Sequence, residues 1–159
     1  MEKITLRPIT YENREAVLAL SVREDQPFVA TNEVSLRQAD EANAENPGVA
    51  RPFAIYADER LVGFCMFAFD PEDEDEEDRY WLWRFMIDKR YQGKGYGREA
   101  MKLILDFIRS GPCRQSEYAW LCYDPENTAA RKLYASFGFE EVSGAYSAED
   151  DEILAVLKL

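Results

Sequence analysis

The chain has 159 residues, of which 47% are hydrophobic and 13% aromatic, and it carries 31 acidic and 19 basic residues. Its apolar content lies well above that of disordered chains, and its length suits one ordinary domain, expected over residues 1–159. The net charge of −12 argues against nucleic-acid and anionic-membrane partners, because both require a basic surface, and it is compatible with a cationic small molecule.

The residue types that usually hold zinc are scarce. The chain has no histidine, which excludes a histidine-based triad and the common zinc sites, and Cys65, Cys113 and Cys122 are not in metal-ligand spacing. No metal is therefore expected. No apolar run approaches the roughly 18 residues of a membrane-spanning helix, and the first residues lack the layout of a signal peptide. A cytoplasmic location is expected.

The first half of the chain predicts two helices among three strands. The first helix is expected to begin after Thr10 as N-cap and to end before Pro27, while Thr31 or Asn32 is expected to cap the second. Pairing in this half should be mostly antiparallel. The expected elements are a strand at 3–9, a helix with Ala16, Val17 and Leu20 inward, a helix at 33–44, and strands at 52–57 and 61–69.

A strongly acidic segment follows at 70–78, where eight of nine residues are acidic. The simpler interpretation is a solvated hairpin loop whose charges repel one another. The alternative is an electrostatic funnel for polyamines. The sequence leaves both open.

The second half predicts an alternation of strands and helices. Because a helix joins the strands on either side of it, the strands flanking the helix at 97–110 should be parallel. Gly138 suits the position just after the last helix. The expected elements are an aromatic strand at 80–88, a helix at 97–110 with Met101, Ile104, Leu105 and Ile108 inward, a strand at 116–123, a helix at 125–137, and strands at 139–142 and 153–159.

The most informative segment is the glycine-rich run at 90–98, between the aromatic strand and the helix. Such a turn leaves backbone N–H groups unpaired at the positive end of a helix dipole, and Arg90, Lys94 and Arg98 add positive charge. Glycines at 93, 95 and 97 allow close approach of an anion and a positive φ. The run therefore predicts a site for a phosphate or pyrophosphate.

Two familiar phosphate loops do not fit. A Walker loop requires Gly-Lys-Ser/Thr, whereas Gly95 follows Gly93-Lys94, and a dinucleotide fingerprint has a different glycine spacing. The pattern Gln92-x-x-Gly95-x-Gly97 instead resembles the signature of the GNAT superfamily of acetyl-CoA-dependent N-acetyltransferases. The segment 127–139, Asn-x-x-Ala-x-x-Leu-Tyr-x-x-x-Gly-Phe, resembles the second hallmark of that family. The resemblance continues upstream in residues 61–64 and 84–88, and over its whole length the chain is similar to the bacterial spermine/spermidine acetyltransferase branch.

The resemblance implies an α/β (α+β) fold with a mixed, mostly antiparallel sheet of about six to seven strands and about four helices. It also implies acetyl-CoA as the donor, with the pyrophosphate in the glycine loop and the pantetheine arm paired with main-chain atoms of residues 85–87. Asn127 matches a family position that contacts the pantetheine or stabilises the local loop; the alternative is a helix N-cap. The implied cofactor-binding residues are Phe85, Met86, Ile87, Gln92, Gly93, Lys94, Gly95, Tyr96, Gly97, Arg98, Asn127 and Tyr134.

Tyr134 matches the family tyrosine assigned as general acid, since a phenol is protonated at neutral pH and can donate to a leaving thiolate. The alternative is a core aromatic. Without histidine, the base must be a carboxylate or a water chain, and the resemblance maps no base. Glu33 is the candidate carboxylate, and Glu24, Asp25 and Glu33 are the candidate acceptor-binding acids, with Trp83 or Tyr80 as an aromatic face for the amine.

The expected reaction is direct acetyl transfer to a primary amine, with a polyamine as the leading acceptor. An aminoglycoside, an amino acid and a protein N-terminus remain alternatives, because the pyrophosphate loop is common to all of them. A non-catalytic acetyl-CoA sensor is an alternative of another class. Family members often form homodimers, and the sequence leaves the oligomeric state open.

Overall fold

Seven strands and four helices make up the described part of the chain, which in this computed structural model covers residues 2–22, 31–70, 79–113, 115–142 and 152–159. None of the helices in these ranges is both long enough and apolar enough to span a bilayer. In chain order the elements are β1 (Ile4–Pro8), α1 (Arg14–Leu18), α2 (Asn32–Glu45), β2 (Ala50–Ala57), β3 (Arg60–Asp70), β4 (Arg79–Ile87), α3 (Tyr96–Arg109), β5 (Tyr118–Tyr123), α4 (Thr128–Ser136), β6 (Glu140–Val142) and β7 (Ile153–Lys158).

The strands form one sheet in the order β1-β2-β3-β4-β5-β7-β6. All neighbouring strands are antiparallel except β4 and β5, which are parallel and are joined through α3. This confirms the expected mixed, mostly antiparallel sheet and the parallel pair around the glycine-loop helix. The strands in the described ranges all fall within a few residues of their predicted positions.

Each face of the sheet has its own apolar core. On one face α3 buries Met101, Ile104, Leu105 and Ile108, which are the residues that its 3.6-residue periodicity placed inward. On the other face Leu36 of α2 packs with Val17 of α1 and with β4. The sheet is therefore covered by α1 and α2 on one side and by α3 and α4 on the other.

Strands β4 and β5 pair over a very short distance. Their parallel ladder consists of Tyr80 with Ala119 and Trp81 with Trp120, although β4 continues to Ile87 and β5 to Tyr123. β5 pairs along its whole length with β7 on its other side. The two strands therefore separate beyond Trp81, and the last residues of β4 have an edge that no other described strand covers, at the centre of the sheet.

Two helix starts differ from the prediction by more than one residue. Thr10 does not cap α1: Asn13 occupies the N-cap position, and its Oδ1 accepts the Thr10 N–H at 2.8 Å, so a turn precedes the helix. α4 begins at Thr128 rather than at 125, because Asn127 caps it. Gly138 has φ of 99° just after α4, as its position predicted.

The acidic segment is not covered by the described residues, apart from its first residue. Asp70 ends β3, and 71–78 lie outside the described ranges. The choice between a solvated loop and a polyamine funnel therefore stays open.

Gly63 of β3 makes a close approach to the backbone of β4. A Cβ at this position would lie 2.5 Å from the Met86 carbonyl oxygen and 2.9 Å from Ile87 Cδ1. We expect Gly63→Ala to lower the free energy of unfolding by about 1–3 kcal/mol, because β4 must shift. Urea denaturation measures this change. As a control, a Cβ at Gly97 has its nearest contact at 3.7 Å, so Gly97→Ala should not lower stability. Equal stability of Gly63→Ala and the wild type would contradict the close approach.

Candidate functional site

A cavity of about 460 Å³ opens where β4 separates from β5. Its walls come from the end of β4, the glycine loop, the first turn of α3 and one face of α4, so both sequence hallmarks contribute to one site. The lining residues are Val22, Phe85, Met86, Ile87, Tyr91, Gln92, Gly93, Gly95, Tyr96, Gly97, Arg98, Asn127, Ala129, Ala130, Leu133 and Tyr134.

The glycine loop has the backbone that an anion site requires. Gly93 has φ of 77° and Gly95 has φ of 85°, and no atom lies within 4 Å of a Cβ built on either residue. Gly95 is the N-cap of α3, so the unpaired N–H groups of the first helical turn face the same end of the cavity. Gly97 lies in the first turn of α3, as predicted, but it has no positive φ, and a Cβ there would only contact Phe85 and Ile87.

The three basic residues of the loop have different surroundings. Arg98 lines the cavity, and its guanidinium lies 5.5 Å from the Phe137 ring centroid. Lys94 is exposed and does not line the cavity. Arg90 turns to Asp88, with Nε donating to Oδ1 at 2.8 Å. Of these three cations, Arg98 is therefore the one that contributes to the cavity wall.

The end of β4 offers main-chain groups to the cavity. The Asp88 N–H donates to the Val62 carbonyl at 2.8 Å, and hydrogen-bonded pairs alternate along an antiparallel ladder, so Phe64 and Met86 form the next such pair. The amide groups of Phe85 and Ile87 therefore point away from β3, toward the opening. The Gln92 side chain donates to the Ile87 carbonyl at 2.9 Å and closes the loop against the strand.

Asn127 acts as a helix cap. Its Oδ1 accepts the Ala130 N–H at 3.3 Å, which satisfies one of the unpaired donors at the start of α4. The residue also lines the cavity. The capping role is present in the structure, and contact with the pantetheine stays a prediction.

Tyr134 lies on the cavity-facing side of α4, and its side chain is largely buried, with 8% exposure. Its ring contacts Tyr123, with centroids 5.6 Å apart, and Phe139, with centroids 6.0 Å apart. Burial, followed by the proximity of Tyr123, raises the pKa of the Tyr134 hydroxyl above its ordinary value. The hydroxyl therefore keeps its proton at neutral pH, as a proton donor must.

The neighbouring Tyr123 is fixed by an ion pair on the surface side. Its hydroxyl donates to Glu141 Oε1 at 2.7 Å, and Arg131 donates to the same carboxylate from Nε at 2.6 Å and from Nη2 at 3.0 Å. Burial and this carboxylate raise the pKa of Tyr123. The proton of the Tyr123 hydroxyl is thus already donated to Glu141, and Tyr134 is the tyrosine that α4 presents to the cavity.

The candidate acceptor residues lie elsewhere. Trp83 is half-buried and packs against the core between the sheet and α1 and α2. The Arg84 guanidinium is 5.6 Å from its ring centroid, and Trp83 does not line the cavity. Glu33 is exposed in the first turn of α2. Its neighbour Asn32 is buried, and the Asn32 Nδ2 lies 3.9 Å from Met86 Sδ, beside the cavity. Glu24 and Asp25 lie outside the described residues.

Five lining residues were not anticipated. Tyr91 lies within the glycine run, and the guanidinium groups of Arg60 and Arg90 are 5.4 Å and 5.2 Å from its ring centroid. Spacing could have identified others, because Ala130 precedes Tyr134 by one helical turn and so shares its face. Val22 follows α1, and no sequence signal marks it. The five are Val22, Tyr91, Ala129, Ala130 and Leu133.

Comparison with known proteins identifies the family and supports the fold. Spermine/spermidine N(1)-acetyltransferase from Bacillus subtilis (strain 168) is 34% identical over 140 residues, which are 86% of this chain and 88% of the relative. Arabidopsis thaliana Naa50, solved in complex with a bisubstrate analogue CoA-Ac-MVNAL, has a TM-score of 0.68 at 18% identity, covering 98% of this chain and 99% of that chain. An acetyltransferase from Thermus thermophilus has a TM-score of 0.68 at 22% identity, over 100% of both chains. The model of the Acetyltransferase (GNAT) family matches residues 15–139, and the chain belongs to this family.

Proposed function

We propose that this chain transfers the acetyl group of acetyl-CoA directly to a primary amine of a polyamine such as spermine or spermidine, with Tyr134 as general acid. The observation that carries the proposal is the cavity that joins the glycine loop, the free edge of β4 and Tyr134. The 34% identity to the Bacillus enzyme named as a spermine/spermidine acetyltransferase supports the choice of acceptor.

The donor half of the cavity suits the chemistry of acetyl-CoA. Gly93 and Gly95 leave open space where a Cβ would otherwise project, and Arg98 supplies a positive charge for a pyrophosphate. The outward amides of Phe85 and Ile87 suit the amide groups of a pantetheine arm, which would add to β4 like a strand. Because the Met86 amide faces β3, Phe85 and Ile87 are the stronger candidates for this pairing.

Two proton transfers remain for the protein. When bound, acetyl-CoA supplies the thioester carbonyl; an amide N–H of the free β4 edge would stabilise the developing oxyanion by roughly 3–4 kcal/mol. Tyr134 would donate its proton to the leaving sulfur. The attacking amine must first lose a proton, which costs roughly 4.6 kcal/mol at pH 7 for a pKa near 10.4. Glu33, or a water chain that ends on it, is the proposed base.

The acceptor half is proposed on the α1/α2 face of the sheet, with Glu33 and Trp83. Glu24 and Asp25, which lie outside the described residues, stay candidate acceptor acids from the sequence alone. The net charge of −12 favours a polycation there. Arg84 lies on this face, but three of its N–H groups are already bound, to Ser35 Oγ, Gln38 Oε1 and the Trp83 carbonyl at 2.8–3.2 Å. Its charge nevertheless disfavours an ammonium group directly beside Trp83, so Trp83 is proposed to contact a methylene segment of the polyamine and Glu33 an ammonium group.

Thiol release from acetyl-CoA with a panel of amines tests the proposal. The panel contains spermine, spermidine, putrescine, lysine, an aminoglycoside and a short peptide. We expect turnover with spermine or spermidine above all others. Preference for the peptide or for lysine would replace the polyamine by a carboxylate-bearing acceptor, which Arg84 could bind. No turnover with any amine, together with a melting temperature raised by acetyl-CoA, would favour a sensor.

The pH dependence of turnover tests the assignment of the acid. The amine is attacked more readily as it deprotonates, so kcat/KM for spermidine should rise from pH 7 to pH 9. A general acid is lost as the pH rises through its pKa, and the pKa of Tyr134 lies above its ordinary value. We therefore expect no falling limb below a pH of about 10, the ordinary phenol pKa. A tyrosine-dependent decline below pH 9 would contradict the raised pKa.

A further inference from the structure

Asp88 is a buried carboxylate directly after β4, with 1% exposure. It accepts three hydrogen bonds: from the Ser21 N–H to Oδ2 at 3.0 Å, from the Arg90 N–H to Oδ1 at 3.0 Å, and from Arg90 Nε to Oδ1 at 2.8 Å. Burial alone would raise the pKa of Asp88, but the hydrogen bonds from Arg90 and Ser21 outweigh it and lower the pKa. The side chain is therefore a carboxylate at neutral pH.

The partners of Asp88 belong to two separate segments. Arg90 opens the glycine loop, whereas Ser21 follows α1 on the other side of the sheet. A further hydrogen bond, from the Lys89 N–H to the Ser21 carbonyl at 2.8 Å, closes the same junction. Asp88 thus holds the loop and the chain after α1 in one fixed arrangement.

The residue after each partner lines the cavity. Tyr91 follows Arg90, and Val22 follows Ser21. One carboxylate that does not line the cavity therefore fixes two of its walls, one on the donor side and one on the side of α1 and α2. A buried ionised group that accepts three hydrogen bonds resists displacement, because each donor would otherwise lose its partner.

We propose that Asp88 is a positioning residue that couples the donor loop to the acceptor side of the cavity at Ser21 and Val22. The proposal rests on the proposed function, since it assigns the chain after α1 to the acceptor side. Its consequence is that a single change at Asp88 weakens the binding of both acetyl-CoA and the amine. Tyr134, on α4, still donates its proton in the chemical step.

Asp88→Asn keeps the shape of the side chain but loses the charge and directs an NH2 group toward an N–H donor. We expect KM for spermidine and Kd for acetyl-CoA each to rise at least fivefold, kcat to change less than threefold, and the Ser21 amide to exchange with solvent at least tenfold faster by NMR. Arg90→Gln removes one side-chain bond and leaves that of Ser21. It should weaken the binding of acetyl-CoA. KM for spermidine and the Ser21 exchange rate should stay within twofold of the wild-type values.

An unchanged exchange rate of the Ser21 amide in Asp88→Asn would overturn the coupling. So would a loss of affinity for acetyl-CoA with no change in KM for spermidine. A fall in kcat with unchanged KM values would also overturn it. Where Asp88→Asn does not fold, Asp88→Glu retains the charge but displaces the carboxylate, and the same readouts apply. If the wild type does not acetylate spermidine, the proposed function fails separately. Ser21 exchange and calorimetric binding of acetyl-CoA then decide the coupling between the two segments.

Discussion

Replacing Tyr134 by Phe is expected to lower kcat with spermidine by about 10²–10⁴-fold, the usual contribution of a positioned acid or base. The ring packs against Tyr123 and Phe139, and phenylalanine preserves those contacts, so folding should be retained. The hydroxyl alone is lost. Because the glycine loop and the edge of β4 are untouched, Kd for acetyl-CoA should stay within about threefold of the wild type, a shift of under 1 kcal/mol.

Tyr123→Phe is the matched control for that experiment. It also removes one hydroxyl, from the ring 5.6 Å away, but that hydroxyl donates to Glu141 rather than serving the cavity. We expect a loss of stability of about 1 kcal/mol and a kcat within a few-fold of the wild type. Steady-state kinetics and urea denaturation of both variants separate the two roles. A comparable loss of kcat in both variants would mean that packing, rather than proton donation, explains Tyr134.

The sequence predicted those parts of the fold that depend on periodicity and on glycine. The inward residues of α3 follow from the helical repeat, and Gly138 ends α4 because only glycine easily adopts its φ of 99°. The start of α1 was missed because a turn at 11–13 separates Thr10 from the helix. Asn13 occupies the N-cap position without a side-chain capping bond; its Oδ1 instead accepts the N–H of Thr10, a contact that the sequence does not show.

The sequence predicted the site residues that belong to contiguous motifs. It did not predict the residues whose part in the site depends on contacts between distant segments. The glycine loop and Tyr134 belong to contiguous motifs, so their meeting in one cavity could be anticipated. Val22 and Asp88 could not, because their roles arise from a junction between residues 67 positions apart in the chain, Ser21 and Asp88. Nor does the sequence show that β4 and β5 separate after Trp81, which creates the opening.

Gly95→Ala is expected to weaken acetyl-CoA binding by about 10–100-fold, with a smaller effect on folding. Gly95 has φ of 85° at the N-cap of α3. A Cβ there would project into open space, with no other atom within 4 Å. That space is where the proposed pyrophosphate would approach the backbone. Either the methyl group blocks the anion or the loop leaves the left-handed conformation. In both cases the loop loses charge-assisted hydrogen bonds to the pyrophosphate, which contribute roughly 1.5–3 kcal/mol.

Gly48→Ala separates this effect from backbone strain. Gly48 has a nearly equal φ of 81°, and its Cβ would find its nearest neighbour, Arg51 Nη2, at 3.8 Å, but it does not line the cavity. Both variants should lose about 1–2 kcal/mol of unfolding free energy from the left-handed conformation. Calorimetry should detect weaker acetyl-CoA binding only for Gly95→Ala. Because the strain is matched, an equal loss of affinity in both variants would show that the glycine loop acts through stability alone and would remove it from the binding site.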